Sequence, residues 1–355
     1  MTATADVILA EPLGVLRRLC AHFAEHGRVR VDGACGRIET TFGNASLEAC
    51  GQCLKLRAEG HDETSLAFVK LSLAEHLLHF AAGDAPRIEW QGDGQAGAPL
   101  PYFREMTVAS VRDLTPRMRR VTLTGADLAR FAVGGHHVRL LFPKDDTPAW
   151  PVMGPDGRPQ WPRGAARPDA RVYTIRRIDA AAGEIDIDFV LHEGACPGGD
   201  FARWATPGRR VGMTGPGGGE TPRADWLLLA GDETALPAIA RMLEELPPTA
   251  TAVVRIEVDG AAEEQPLASR ASLDLRWLHR NGNAPGTSAL LSEVVRAVEI
   301  PTVPSRFVWV GCEHRGFRSI RAWLRKECRL SRDEHLAVAY WRRGREGDEA
   351  RGDDH

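Results

Sequence analysis

The run Trp226-Leu-Leu-Leu-Ala-Gly-Asp-Glu-Thr-Ala-Leu-Pro-Ala-Ile-Ala-Arg-Met-Leu243 constrains the fold of this chain more than any other. Residues 227–230 read as a buried strand, 231–234 as a tight turn, and Leu236, Ile239, Ala240 and Leu243 recur at helical spacing. A strand that feeds a helix through a glycine turn aims unpaired N–H groups and the helix dipole at the space above the strand end. A pyrophosphate is the usual guest there. The same unit is common in α/β proteins that bind nothing at that point, so its surroundings must decide.

Downstream of it, strands and helices alternate. Strands at 253–258, 273–278, 307–310 and 335–340 join 227–230, with helices at 237–246, 288–298 and 317–328. That order predicts a doubly wound parallel sheet whose ligands sit at the carboxyl ends of its strands. Upstream, six short strands at 107–111, 118–124, 137–142, 171–177, 184–192 and 210–214 predict a small antiparallel barrel. The alternation Ile185, Ile187, Phe189, Leu191 is typical of them. Between the third and fourth lies 144–169, bearing Trp150 and Trp161, too long for an ordinary hairpin. It reads equally well as an aromatic rim to a site and as a loop anchored in a core.

The first 95 residues suggest a small α+β unit. Leu13, Leu16, Leu19 and Phe23 make one helix stripe and Leu66, Val69, Leu73, Leu77 and Phe80 another, with strands at 29–31, 38–42, 47–56 and 87–90. A glycine-rich stretch at 92–97 reads as a linker. The expected fold class is therefore multidomain: an α+β domain at 1–95, a six-stranded antiparallel β-barrel at 101–222, and a parallel-sheet α/β domain at 223–345.

Composition narrows the function classes. A net charge of −3 and 43% hydrophobic residues suit a soluble globular protein and give no reason to expect nucleic acid. No apolar run approaches membrane-spanning length and the N-terminus lacks the regions of a secretory signal, so no membrane association and a cytoplasmic location are expected. Seven scattered cysteines fit reduced thiols better than a disulfide framework. Cys50-Gly-Gln-Cys53 has redox spacing but sits in a strand-like stretch, not at a helix N-terminus. His76 and His79 could share a helix face, yet no acidic or cysteine partner recurs with them, and no protein metal site is expected.

Chemistry concentrates in Arg171-Val-Tyr-Thr174. Residues two apart on a strand share a face, so Arg171 can offer its donor fork, and Tyr173 its ring and hydroxyl, to one ligand. Thr174 could hydrogen-bond a flavin edge. The loop His192-Glu-Gly-Ala-Cys-Pro-Gly-Gly-Asp-Phe-Ala-Arg-Trp204 leads into a short helix. Its bare backbone N–H groups could hold a pyrophosphate, although the Asp200 carboxylate competes for them.

These two segments, with Gly215-Pro216, Gly231-Asp-Glu-Thr-Ala-Leu-Pro237 and Tyr340-Trp-Arg-Arg-Gly344, resemble the siderophore-interacting proteins, FAD-binding ferric-siderophore reductases of the ferredoxin-reductase superfamily. The resemblance covers about 101–345. Residues 1–95 separately resemble a DUF2218-type domain through Leu19-Cys-Ala-His22-Phe and His76-Leu-Leu-His-Phe80, with no role attached. The resemblance implies that Arg171, Tyr173 and Thr174 hold FAD with help from His192, Gly199 and Ala202, and that Asp232, Glu233, Thr234 and Ala235 face the nicotinamide side. It implies no catalytic side chain beyond the flavin. Electrons would pass from NAD(P)H, or in some relatives from a ferredoxin, through FAD to a ferric siderophore or other anionic ferric chelate and release Fe(II).

Two departures from the family pattern stand out. Gly199-Asp-Phe-Ala202 takes the place of a Gly-Pro-Ala-Ser phrase and lacks its small hydroxyl, and His137-Val-Arg-Leu140 carries Arg139 where the family has lysine. Arg139, Arg342 and Arg343 are the expected contacts to the anionic chelate. Glu257 would favour ribose hydroxyls and hence NADH, whereas Arg280 would favour a 2′-phosphate. Two alternatives stay open: a flavin oxidoreductase with another acceptor, and a siderophore-binding protein without turnover.

Overall fold

A computed structural model describes residues 1–145, 147–192, 194, 196–303 and 305–345. The chain divides into two compact units, one made of Met1–Phe103 and Thr147–Pro168, the other of the remainder.

The first unit opens with β1 (Thr2–Ile8), α1 (Pro12–Phe23), β2 (Arg28–Asp32), β3 (Cys35–Glu39), β4 (Gly43–Cys50), β5 (Cys53–Gly60), α2 (Glu63–Phe80) and β6 (Gln91–Gly92). One sheet runs in the order β2-β3-β4-β5-β1-β6. Alternation places Ala3, Ala5 and Val7 of β1 inward, and α1 and α2 add Val15, Leu16, Leu19 and Leu73 to the same core. Leu13 is exposed, so the first helix stripe runs through Val15 rather than Leu13. Residues 47–56 are not one strand. They span the β4–β5 hairpin, where Gly51, at φ 58°, supplies the positive φ that a two-residue turn needs.

The second unit begins with β7 (Phe103–Thr115), β8 (Met118–Thr124) and β9 (His137–Phe142). The long segment that follows returns to the first unit as a hairpin of β10 (Val152–Met153) and β11 (Pro159–Gln160). Trp90 Nε1 donates to the Asp156 carbonyl at 2.9 Å, Trp150 packs on Phe103, and Met153 is buried with Ala67, Leu100 and Tyr102. Of the two readings of this segment, anchoring in a core is the one the packing supports.

The barrel is completed by β12 (Asp169–Asp179), β13 (Glu184–Val190), the helix α3 (Pro197–Trp204) and β14 (Arg210–Gly217), closing in the order β12-β13-β8-β7-β14-β9. Inward-facing Val121, Leu140, Ile187 and Phe189 fill it, and α3 contributes Phe201 and Ala202. On the outer face Asp188 takes a bidentate bond from Arg120, at 2.6 and 2.8 Å.

The remaining elements are β15 (Trp226–Asp232), α4 (Leu236–Glu245), β16 (Thr251–Val258), β17 (Ser272–His279), α5 (Leu290–Arg296), β18 (Arg306–Glu313), α6 (His314–Lys326) and β19 (His335–Trp341). They build a parallel sheet in the order β17-β16-β15-β18-β19. Strand order reverses between β15 and β18, which puts the topological switch at the end of the Trp226–Asp232 strand. Gly231 is required there, because a Cβ would stand 2.5 Å from the Gly311 carbonyl oxygen. Among the described residues no helix is long and apolar enough to cross a membrane.

Candidate functional site

Register decides which residues of β12 act together. Arg171 pairs with Leu140 and Tyr173 with Val138, so both lie on the inward face of the barrel wall; Val172 and Thr174 pair with Arg139 and His137 on the other face. The FAD residues expected from the sequence therefore divide between two faces of one strand. The Tyr173 ring lies 4.5 Å from Phe189 and edge-on to Phe142. Burial pushes its phenol pKa up, the Cys196 thiol adds to this, and Arg171 opposes it. The hydroxyl stays a neutral donor. Gly198 makes room for it, since a Cβ there would stand 1.7 Å from the Tyr173 oxygen.

Arg171 is the informative group. Its guanidinium donates to the Ala170 carbonyl at 2.9 Å, and among the described residues no carboxylate pairs with it. A half-buried cation left without an acid beside a neutral phenol suits a ligand that brings its own negative charge.

The N-terminus of α3, in contrast, is closed by its own residues. Cys196 is the N-cap and its Sγ accepts from Gly199 N at 3.2 Å, while Cys196 N donates to Asp200 Oδ2 at 3.1 Å. His192 Nε2 lies 3.2 Å from the same sulfur. Burial works to raise the Cys196 pKa, but the His192 hydrogen bond and charge and the Gly199 N–H outweigh it and bring the thiol below its ordinary value. The thiol thus caps the helix. Gly199 and Ala202 are buried, and Ala202 sits in the barrel core with its carbonyl bonded to Arg119. The amide cradle expected here thus has its Cys196 and Gly199 N–H groups engaged within the loop, with Asp200 competing as expected. Glu193 and Ala195 of this loop lie outside the described residues.

At the switch point the charges are also internally matched. The buried Asp232 carboxylate accepts from Thr234 N at 3.0 Å, Glu313 N at 2.9 Å and Trp341 Nε1 at 2.8 Å, tying the ends of β15, β18 and β19 together. Burial, with Glu233 adding, pushes its pKa up to about 6. Glu233 pairs with Arg280, whose other nitrogen is 3.7 Å from Glu257, and Glu257 accepts from Ser288 Oγ and Leu291 N. Arg280 is only 2% exposed. Glu257, expected to favour ribose hydroxyls, and Arg280, expected to favour a 2′-phosphate, thus both have partners within the protein, although Arg280 Nη1 makes no hydrogen bond among the described residues. Ala235 is fully buried against Gly231 and Gly311, and of the four residues 232–235 only Thr234 is half-exposed rather than buried.

On the outer barrel face, His137 Nε2 and the Tyr340 hydroxyl are 2.8 Å apart, joining β9 to β19. Neither residue was singled out individually by sequence reasoning; both sit inside phrases that were. Arg139 lies on His137's face, two residues along β9. Beyond β19, Arg342 is half-buried and Arg343 exposed; Arg343 N donates to Glu313 Oε1 at 3.2 Å, and no ion pair is recorded for either guanidinium among the described residues. No group of three metal-ligating side chains could hold a metal ion among the described residues.

Residues 107–220 match the family model described as the siderophore-interacting FAD-binding domain, and 224–344 match the siderophore-interacting protein model. The ferric vibriobactin reductase of Vibrio cholerae serotype O1 is 32% identical over 250 residues, 69% of this chain and 91% of that protein. The chain belongs to the siderophore-interacting protein family. Solved relatives agree: a siderophore utilization protein from T. fusca is 40% identical with a TM-score of 0.63, covering 70% of this chain and 96% of that one. The siderophore-interacting protein SipS from Aeromonas hydrophila is 31% identical with a TM-score of 0.59, over 69% and 93%. Residues 4–91 match DUF2218, a family described as an uncharacterized protein conserved in bacteria. The family's FAD-binding barrel is thus the domain in which Arg171 lacks an internal counter-charge, and the residues around it fit a diphosphate-bearing cofactor.

Proposed function

We propose that this chain is an FAD-dependent ferric-siderophore reductase that draws electrons from NAD(P)H. The observation that carries the reading is the unpaired Arg171 guanidinium beside Tyr173, in a barrel matched by an FAD-binding family. FAD, when bound, supplies the conversion between a two-electron donor and a one-electron acceptor such as Fe(III).

The chain's own residues bind, orient and exclude. Arg171 balances the diphosphate, Tyr173 donates from a hydroxyl that stays protonated, and His192 with Thr174 complete the cofactor side. The Tyr340–His137 bond holds the last sheet strand against the barrel. Arg139, Arg342 and Arg343 give the substrate side positive charge, which raises the local concentration of an anionic ferric chelate. Thr234, the least buried member of the 232–235 turn, would meet the donor. Fe(II) is held less tightly than Fe(III) by hard oxygen ligands, so reduction frees the iron without a protein metal site.

The matched carboxylates at the switch point favour one further reading of the donor. With Asp232, Glu233 and Glu257 engaged internally, none remains for ribose hydroxyls, which suits a small protein donor such as a ferredoxin.

The visible spectrum tests both readings. The isolated protein should carry flavin bands that bleach anaerobically with NADH, NADPH or reduced ferredoxin and recover on addition of a ferric siderophore. A colourless protein that takes up no FAD would sink the proposal, and bleaching by ferredoxin alone would select the second donor.

A further inference from the structure

The sequence spacing Cys50-Gly-Gln-Cys53 acquires a meaning in the first unit that a single strand could not give it. The two cysteines close the β4–β5 hairpin, and each is the other's direct partner across the ladder. Directly opposed residues of an antiparallel pair have Cα atoms about 4.5–5.5 Å apart. That lies inside the window of roughly 4.4–6.8 Å that a disulfide spans. Both side chains leave the same face of the sheet, and as the pair flanking a two-residue turn they are the wider, hydrogen-bonded kind, about 5.5 Å between Cα atoms and still inside that window.

Access is built in as well. Both thiols are free, Cys50 is exposed and Cys53 half-buried. The turn between them stands clear, because a Cβ added at Gly51 would meet nothing within 4 Å. Cys35 shares this face but sits opposite Glu48, two residues from Cys50. Such diagonal neighbours are about 7–8 Å apart, beyond the roughly 3.5–4.5 Å between Cβ atoms that a disulfide needs.

We propose that Cys50 and Cys53 form a reversible dithiol–disulfide site that takes a low-molecular-weight disulfide, such as glutathione disulfide, as its oxidant. The exposed Cys50 thiolate attacks the oxidant's S–S bond, which breaks; a mixed disulfide forms and one small thiol leaves. Cys53 then attacks the Cys50 sulfur and expels the second small thiol. The protein loses two protons and two electrons, and the oxidant gains both pairs as two thiols.

The test treats the full chain with excess glutathione disulfide, alkylates the remaining thiols, and maps them by peptide mass spectrometry. The peptide bearing both cysteines should be lighter by two hydrogens and alkylated at neither, and dithiothreitol should restore both thiols. Cys53→Ser should instead accumulate glutathione on Cys50, and Cys35→Ser should leave the internal bond intact. Glutathione retained on wild-type Cys50 or Cys53, both thiols still free after treatment, or a bond from either to Cys35 would overturn the proposal. Unchanged far-ultraviolet circular dichroism of each variant shows that a lost bond is not lost folding.

Discussion

The start of β12 and the end of β15 both carry charge where a nucleotide could sit, yet they are built in opposite ways. On β12, Arg171 has a carbonyl for a neighbour and no acid. On β15, Asp232 has its own turn and the ends of two neighbouring strands bonded to it, and Glu233 has Arg280. A charge satisfied inside the protein organises the fold; a charge left over recruits a ligand. The contrast separates a structural hub from the group proposed to bind the cofactor, although both sit in phrases of equal prominence in the sequence.

Substitution should break the two ends differently, and the largest effect belongs to the hub. Asp232→Ala strands the Glu313 N–H and the Trp341 indole N–H, and should lower unfolding free energy by about 3 kcal/mol in urea titration. The same site gives a pH signature. Its folded pKa of about 6 lies above the ordinary 3.8, so the folded state holds the proton more tightly, and this contribution is present below about pH 4 and lost as pH rises through 6. Wild-type stability relative to Asp232→Asn should therefore fall across that window, by about 3 kcal/mol. A flat difference would show that Asp232 is charged throughout.

Arg171→Ala should do the reverse of Asp232→Ala: unfolding free energy unchanged within about 0.5 kcal/mol, but FAD affinity lower by about 30-fold in a fluorescence titration. Destabilisation without loss of flavin would make Arg171 part of the fold and erase the contrast. Tyr340→Phe removes one bond to His137 and should cost about 1 kcal/mol in the same unfolding assay. Smallest of all, Arg342→Ala with Arg343→Ala should raise KM for an anionic ferric chelate about threefold at low salt and by less at high salt, with flavin content unchanged.

Legibility tracked the range of the interactions involved. All six barrel strands and all five sheet strands were readable because buried faces impose alternation or continuous apolar runs locally. The first unit was less so: β1 carries Thr2, Thr4 and Asp6 on its outer face and only alanines and one valine within, a weak apolar signal. The β4–β5 hairpin was missed because Gly51-Gln52 is not a strong turn dipeptide. The residues proposed for the cofactor were picked out by residue type and spacing. Cys196 as the cap of α3 was not, because thiols seldom fill that role.

The sequence alone determined the elements of the barrel and the parallel sheet, their order and the family, since each rests on residues near one another in the chain. Whether a charged side chain is spent or available was decided only by the tertiary structure. Arg280 and Glu233 are 47 residues apart, and Asp232 and Trp341 are 109 apart. Desolvation forces buried charges to find such partners wherever the fold brings them, and no local pattern records where that will be.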